Sequence, residues 1–301
     1  MDPGSILSRA RALLFAWATA TAGAVHAFGA SKLSVGMPAL FLALFADGVA
    51  RPGSSVLYPT VRRGPREGRR VALSFDDGPD PEVTPRVLDA LKEHGARATF
   101  FAIGRALEAH PQIARRAIAE GHEIGNHSWK HSHWGSFSMP GEQIAEIERG
   151  ERAIAAITGN GSTPLYRAPH GVKSPPFVMA ARAKRLTMVA WSLHSRDTFF
   201  GDPARIAARV LRRVEPGDIV VMHDGHDRPG RHRTVCARAV PLILAGLRER
   251  RLECVTVSEL LRFRDARAVS AACSSPEFLP AAHRAASEQP GAPASPRSTS
   301  T

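Results

Sequence analysis

Short apolar runs alternate with amphipathic stretches along the chain from residue 71 onward. A short apolar run bounded by turn residues is typical of a buried strand, and apolar positions three to four residues apart are typical of a helix. The predicted strands are 71–75, 98–103, 122–126, 165–167, 187–191, 218–222 and 252–257. Seven strand–helix units imply a parallel sheet, and at this chain length a barrel is its natural closure.

The amphipathic stretches carry helix signals of their own. Residues 84–95 have Pro85 in the first turn, where its missing N–H is tolerated, and Gly95 where the helix ends. Residues 205–214 place apolar side chains on one face and arginines elsewhere, and 238–250 repeat the helical spacing. The predicted fold class is therefore α/β.

Two apolar runs precede this pattern. Residues 12–31 carry no charged side chain and are about long enough to cross a bilayer as a helix, whereas 33–46 are shorter and contain Pro38. A secretory signal cleaved near residue 27, a single uncleaved anchor and a membrane hairpin all fit these runs. We favour a hairpin or re-entrant anchor within residues 1–60, because neither run shows a polar face. The distribution of basic residues then places both ends in the cytoplasm.

Composition and charge narrow the class of partner. The formal net charge of +12 invites a nucleic-acid interpretation. The arginines are spread along the whole chain, however, and aromatic residues for base stacking make up only 6% of it, so we expect no nucleic-acid partner. Residues 266–301 are rich in Ala, Ser and Pro, and we predict that they form a disordered tail.

Titratable side chains stand at the ends of the predicted strands. Asp76 and Asp77 follow the run 71–75, and neighbouring strand side chains point to opposite faces, so one can bind a metal while the other accepts a proton. Asp-Gly also starts many ordinary turns. His127 and His131 are four residues apart, a spacing that lets both imidazoles face one point.

With Asp77, these two histidines make a ligand set of two nitrogens and one oxygen. Such a set suits zinc, is also acceptable to cobalt, nickel or iron, and leaves positions open for water and substrate. Histidine pairs at this spacing also arise by chance in a chain with 13 histidines. Both Asp77 and His127 lie just past a predicted strand, where parallel barrels build active sites, and this placement favours a metal centre.

Two more strand ends can serve the same site. His223 closes the run 218–222 and can act as a general acid, because its ordinary pKa is near neutrality; a histidine that only caps the strand is the alternative. Arg167 also follows a short strand, and beside Asp76 it would keep that carboxylate ionised and oriented. Together, the four strand ends favour an active site over unrelated structural residues.

The chain also resembles a known family. Its motifs, in order, are S-F-D-D-G-P, H-S-W-K-H, Y-R-A-P-H-G, W-S-L-H-S-R-D and V-M-H-D. They are similar to those of the polysaccharide deacetylases, the NodB-homology proteins of carbohydrate esterase family 4. The resemblance implies a catalytic domain over residues 68–265 with a distorted (β/α)7-type barrel.

The resemblance also implies residue roles. Asp76 matches the general base, and Arg167 matches the residue that orients it. Asp77, His127 and His131 match the ligands of one divalent metal ion, for which zinc ranks above cobalt, nickel and iron.

Four further matches lie on the acid and substrate side. His223 matches the general acid, and Asp197 matches the aspartate that tunes it. His170 stands where a tyrosine is usual, at a position whose backbone N–H helps to hold the oxyanion, and Trp191 is a substrate-side residue. His194 and Thr198, on the same side, depart from the family pattern. These departures put the identity of the substrate in question more than the chemistry.

The activity implied by the resemblance is metal-dependent removal of an N-acetyl group from an amino sugar, in a glycan or a lipid-linked saccharide. A deformylase or other amide hydrolase on the same barrel, and an inactive glycan-binding protein, are the alternatives. We expect a carbohydrate substrate, a membrane partner and a location at the bacterial inner membrane. Charge favours a cytoplasmic catalytic domain, and a periplasmic one is the alternative.

Overall fold

The computed structural model describes residues 33–132, 135, 138–159, 164–228 and 230–261. The chain divides into two compact units, of which Leu42–Ser270 contains the sheet. The other unit comprises Met1–Phe41 and Ala271–Thr301, and only residues 33–41 of it are described. The predicted tail 266–301 lies outside the described residues.

The first described element is helix α1 (Leu33–Ala50), which contains the second of the two apolar runs, including Pro38. Within the described part of the chain, no helix combines the length and apolar character that crossing a bilayer requires. The membrane span predicted for 33–46 is therefore not found. The first run, 12–31, lies outside the described residues.

Nine parallel strands form one curved sheet in the described part of the chain. They are β1 (Thr60–Val61), β2 (Arg70–Asp76), β3 (Thr99–Ala102), β4 (Glu123–Asn126), β5 (Leu165–Tyr166), β6 (Thr187–Val189), β7 (Leu193–His194), β8 (Ile219–His223) and β9 (Glu253–Cys254). The strand order is β1-β6-β5-β4-β3-β2-β8-β7, and β9 pairs with the start of β2.

The parallel α/β architecture predicted from the sequence is confirmed, and the curved sheet fits the predicted distorted barrel. All seven predicted strands are present, and β1 and β7 are additional. These two strands form opposite edges and do not pair with each other among the described residues, so the sheet is a half-barrel. Its inner surface is closed by side chains instead, because Leu260 and Leu261 pack with Ala72, Phe101 and other inward-facing residues.

Helices connect the strands and cover the outer face of the sheet. They are α2 (Thr84–Glu93), α3 (Gly104–Ala109), α4 (Pro111–Ala119), α5 (Pro140–Thr158), α6 (Pro175–Ala183), α7 (Pro203–Arg213), α8 (Thr234–Glu249) and α9 (Val257–Leu261). The three predicted helices correspond to α2, α7 and α8. Pro85 lies in the first turn of α2, and Gly95 follows its end with a φ of 61°, as the sequence predicts.

The alternation of side chains along β2 positions the site. Val71, Leu73 and Phe75 point outward into the main apolar core beneath the helices. Their neighbours point into the half-barrel, and Asp76 is the last of these inward residues. Burying each large apolar side chain contributes about 1.5–3 kcal/mol, so the register that directs Asp76 inward is strongly held.

Candidate active site

A cleft of about 440 Å³ lies at the C-terminal ends of the strands. Most of the predicted site residues line it, namely Asp76, Asp77, His127, His131, His170, Trp191 and His223. The two that do not line it, Arg167 and Asp197, contact Asp76 and His223 from behind. The structure thus brings every predicted site residue to one end of the half-barrel, where parallel folds of this kind carry their chemistry.

Asp76 and Arg167 form a buried ion pair. Arg167 Nη1 donates to Asp76 Oδ1 at 2.6 Å, and both side chains are almost fully buried. The other guanidinium donors reach the carbonyls of Val189 and Ala190 at 3.2 Å, and the guanidinium lies 3.9 Å from the centre of the Phe101 ring. Because each donor group is used and the stem is enclosed, this arginine fixes the orientation of the Asp76 carboxylate.

Asp77, His127 and His131 converge on one point. Asp77 Oδ1 lies 3.6 Å from His127 Nε2 and 3.5 Å from His131 Nε2. The three candidate ligand atoms all lie within 4.8 Å of one another, and all three residues are buried. A single metal ion bound by two nitrogens and one oxygen fits this spacing.

The donor chemistry of this cluster also fits a cation. His127 Nδ1 lies 2.8 Å from the carbonyl oxygen of Arg167, an arrangement in which Nδ1 donates and Nε2 keeps its lone pair. Burial lowers the pKa of His127 to about 3 and that of His131 to about 2, so both rings are neutral. Burial raises the pKa of Asp77 to about 7, and Asp77 Oδ1 has no hydrogen-bond partner among the described residues. A bound cation would satisfy this carboxylate.

Several residues of the site adopt the left-handed backbone conformation, which costs a non-glycine residue about 1–3 kcal/mol. They are Asp77 (φ 75°), Ser128 (φ 66°), His131 (φ 54°) and His170 (φ 55°). Local hydrogen bonds hold the loop in place, since Ser128 N–H donates to Asn126 Oδ1 at 2.9 Å and His131 N–H donates to Ser128 Oγ at 3.0 Å. This bent loop is what turns both imidazoles toward Asp77.

His223 and Asp197 form a second buried pair on the opposite side of the cleft. His223 Nδ1 lies 3.0 Å from Asp197 Oδ1, and the His223 backbone N–H donates to Asp197 Oδ2 at 2.7 Å. Burial alone would lower the pKa of His223, but the Asp197 carboxylate outweighs it and raises this pKa to about 9. His223 is therefore protonated at neutral pH, with Nε2–H left as the donor to the cleft.

Aromatic rings line the cleft beside His223. The Trp191 and His223 rings lie 5.9 and 5.8 Å from the His194 ring, and the exposed ring of Phe199 lies 6.5 Å from it. Burial, followed by the charge of His223, lowers the pKa of His194. The flat rings of Trp191 and His194 provide a surface against which a sugar ring can pack.

Sequence reasoning missed several polar residues that surround the site. Ser195 Oγ donates to Asp197 Oδ1 at 2.9 Å, and Arg233 Nη2 lies 3.8 Å from Asp77 Oδ2. Asp224 is buried behind Asp76; it accepts from Thr84 Oγ1 at 2.6 Å, and burial raises its pKa to about 7. Ser195 and Asp224 lie inside the family motifs, but the roles that the motifs imply belong to neighbouring residues. Arg233 lies in a loop with no periodicity.

A buried aspartate held by an arginine, three residues that could hold a metal ion and a histidine with a raised pKa thus lie together at one cleft. Residues 63–189 match the family model of the polysaccharide deacetylases. The chain is 34% identical to a peptidoglycan-N-acetylglucosamine deacetylase of Bacillus cereus over 202 residues, which cover 66% of this chain and 92% of the relative. The chain therefore belongs to the polysaccharide deacetylase family of hydrolases.

Two further comparisons agree with this assignment. A chitooligosaccharide deacetylase of Bradyrhizobium sp. is 39% identical over 166 residues, which cover 55% of this chain and 75% of the relative. The crystal structure of the peptidoglycan N-acetylglucosamine deacetylase Bc1960, solved with 4-naphthalen-1-yl-N-oxidanyl-benzamide, superposes with a TM-score of 0.63 at 30% identity. That match covers 67% of this chain and 92% of the Bc1960 chain.

Proposed function

We propose that this protein removes an N-acetyl group from an amino sugar of a glycan, with one zinc ion held by Asp77, His127 and His131. The observation that carries the proposal is the convergence of these three buried ligands beside Asp76, with His223 protonated across the cleft. Family membership supports the reaction class. The ligand set supports a divalent metal, and its two nitrogens and one oxygen are the reason for choosing zinc.

Zinc, when bound, supplies a Lewis acid for the amide carbonyl and for the attacking water. Asp76 accepts a proton from that water through Oδ2, because its Oδ1 is engaged by Arg167. The backbone at His170, where the chain turns through a left-handed φ, borders the cleft and is the proposed donor to the developing oxyanion.

His223 completes the reaction on the leaving-group side. Its Nδ1 is engaged by Asp197, so Nε2–H delivers the proton to the departing nitrogen as the C–N bond breaks. The water oxygen forms the new C–O bond, and the products are a free amino sugar and acetate. Trp191 and His194 lie where the sugar ring would contact the cleft wall.

An inactive glycan-binding protein would have no use for a base, an acid and three metal ligands in one cleft, so we do not favour that alternative. Both a polymeric glycan and a lipid-linked saccharide fit this proposal as the substrate. The apolar run 12–31 is the reason for including lipid-linked N-acetyl sugars in the test.

The test is acetate release by the full-length protein from N-acetylated oligosaccharides and lipid-linked N-acetyl sugars, with chelator and with zinc added back. Asp76→Asn should lower turnover by about 10²–10⁴-fold, because the amide cannot accept the proton. Zinc content should stay close to that of the wild type, whereas the thermal unfolding temperature should fall, because the variant leaves the buried charge of Arg167 without its carboxylate partner. Near-normal turnover in this variant would disprove the role of Asp76 as the base.

A further inference from the structure

The loop after β8 places a row of arginines along one side of the cleft. Arg228, Arg231 and Arg233 all line the cleft that contains the candidate metal ligands. Arg233 is tied to the site itself, since its Nε donates to the Gly225 carbonyl at 2.9 Å and its Nη2 lies 3.8 Å from Asp77 Oδ2. The other two side chains extend along the rim.

A second cavity of about 370 Å³ adjoins the cleft on this side. It shares Arg228, Asp227 and His131 with the cleft, so it begins at a candidate metal ligand. Arg105 and Lys130 are also among the residues that line it. We refer to Arg105, Lys130, Arg228 and Arg231 as the cationic wall.

Two members of the cationic wall have no acidic partner. Arg228 and Arg231 are exposed, and neither guanidinium forms a hydrogen bond or an ion pair with another described residue. Arg105 donates to the backbone carbonyl of Asp227, which holds its guanidinium at the cavity without neutralising it. Lys130 Nζ lies 3.8 Å from Glu146 Oε1 and is half exposed.

Two carboxylates among the described residues oppose these charges, and the first is Glu146 beside Lys130. Asp227 lines both cavities, but its Oδ1 lies 2.6 Å from His226 Nδ1, so this carboxylate already has a partner in the same loop. Three cationic side chains therefore line the second cavity against Asp227 and the nearby Glu146, so it is cationic on balance even with both acids counted.

We propose that the cationic wall is a subsite for an anionic group, a phosphate or a carboxylate, carried by the sugar substrate next to the acetamido group that reacts. Guanidinium groups bind such oxyanions in a bidentate manner, and Arg228 and Arg231 have their donors available. The small volume of the second cavity fits one substituent or one sugar residue rather than a macromolecule. The neutral aromatic surface at Trp191 and His194 would then contact the sugar ring itself. This inference rests on the proposed function in taking the ligand to be an N-acetylated sugar.

The first experiment measures binding without turnover. The full-length Asp76→Asn protein, metal-free after chelation, is titrated with N-acetylglucosamine 1-phosphate, with an N-acetylhexosamine bearing a carboxylate, and with a neutral methyl glycoside. We expect at least one anionic sugar to bind about tenfold more tightly than the neutral one, with a preference that weakens as salt rises. Equal affinity for all three sugars would overturn the proposal.

Variants of the cationic wall test whether its arginines cause the preference for anionic sugars. Arg228→Gln combined with Arg231→Gln should remove most of the tenfold preference. The matched control is Arg212→Gln combined with Arg213→Gln, which removes the same charge from exposed positions in the last turn of α7, at the opposite end of the sheet. An equal loss in both double variants would show general electrostatic attraction by the basic chain and would overturn the subsite.

The two anionic sugars distinguish the source of the charge. Tighter binding of the phosphate indicates a sugar phosphate as the ligand, and tighter binding of the carboxylate indicates an acidic sugar. Acetate release separates this inference from the proposed function. If zinc-loaded wild-type protein releases acetate equally well from neutral and anionic substrates and binds them equally, only the subsite fails. If the binding preference holds while no substrate releases acetate, only the proposed function fails.

Discussion

At one end of the cleft His127 and His131 lie against Asp77, and at the other end His223 lies against Asp197. His127 and His131 are buried and His223 is partly buried, yet the pKa is lowered to about 3 and 2 in the first pair and raised to about 9 in His223. The difference comes from what Nδ1 faces, and His131 Nδ1 has no hydrogen-bond partner among the described residues. A backbone carbonyl at His127 fixes a tautomer without adding charge, whereas a buried carboxylate at His223 stabilises the imidazolium.

The two ends therefore suit opposite tasks. Neutral imidazoles offer lone pairs to a metal, and a protonated imidazole offers a proton to a leaving group. Burial alone would have made all three histidines neutral, so Asp197 is the residue that divides the cleft into a ligand end and an acid end.

The largest effect should come from breaking the ligand end. His127→Gln removes one of three metal ligands, and we expect zinc content to fall and acetate release to drop at least about 10⁴-fold. Metal analysis of the purified protein beside a turnover assay checks this. His110→Gln, a histidine outside the cleft, serves as the control. Full zinc occupancy in His127→Gln would show that the ligand set is wrong.

Breaking the acid end should separate chemistry from metal binding. His223→Gln leaves a side chain that cannot supply the proton, and we expect turnover to fall about 10³-fold while zinc stays bound. Zinc content and kcat are measured on the same preparation. Loss of zinc in this variant would contradict the division of the cleft into two ends.

The smallest expected effect comes from removing the carboxylate that raises the pKa of His223. Asp197→Asn should lower the pKa of His223 from about 9 toward or below its ordinary value of 6.5, because burial is no longer opposed by a carboxylate. His223 acts only when protonated, so wild-type activity should fall as the pH rises through about 9.

In Asp197→Asn the same decline should begin at least two pH units lower, with about a 10–100-fold loss at neutral pH. The pH profile of kcat/KM checks this. The control is Asp202→Asn, which changes the exposed cap of α7, where asparagine serves equally well. An unshifted alkaline limb would show that Asp197 does not set the pKa of His223.

The sequence predicted the elements that follow strong periodic signals. Strands such as β2 and β8 are apolar runs long enough to recognise, and α2 carries its proline and glycine at the expected ends. β1 and β7 have two residues each, too few to show an alternating pattern, and both lie at sheet edges. The half-barrel fits the predicted distorted barrel, and these two edge strands are the part of it that the sequence did not predict.

The site was predictable where its residues end strands. Asp76 and His223 stand at register-paired positions of adjacent strands, so a strand assignment already places them together. Arg233 and the cationic wall could not be found in this way, because loop residues are brought to the cleft by turns whose course no periodic pattern specifies. Resemblance to the family suggested roles that geometry alone would leave open, such as the role that we propose for Asp197.

Arg167 joins two parts of the site that are otherwise separate. Its guanidinium holds the base Asp76, while its backbone carbonyl sets the tautomer of His127. A substitution of the Arg167 side chain changes the contact with Asp76 and keeps the carbonyl contact with His127. A shift of the backbone at this residue disturbs both contacts at once. The effects of changes at this position and at its two partners should therefore not add, so that each substitution alters the cost of the next.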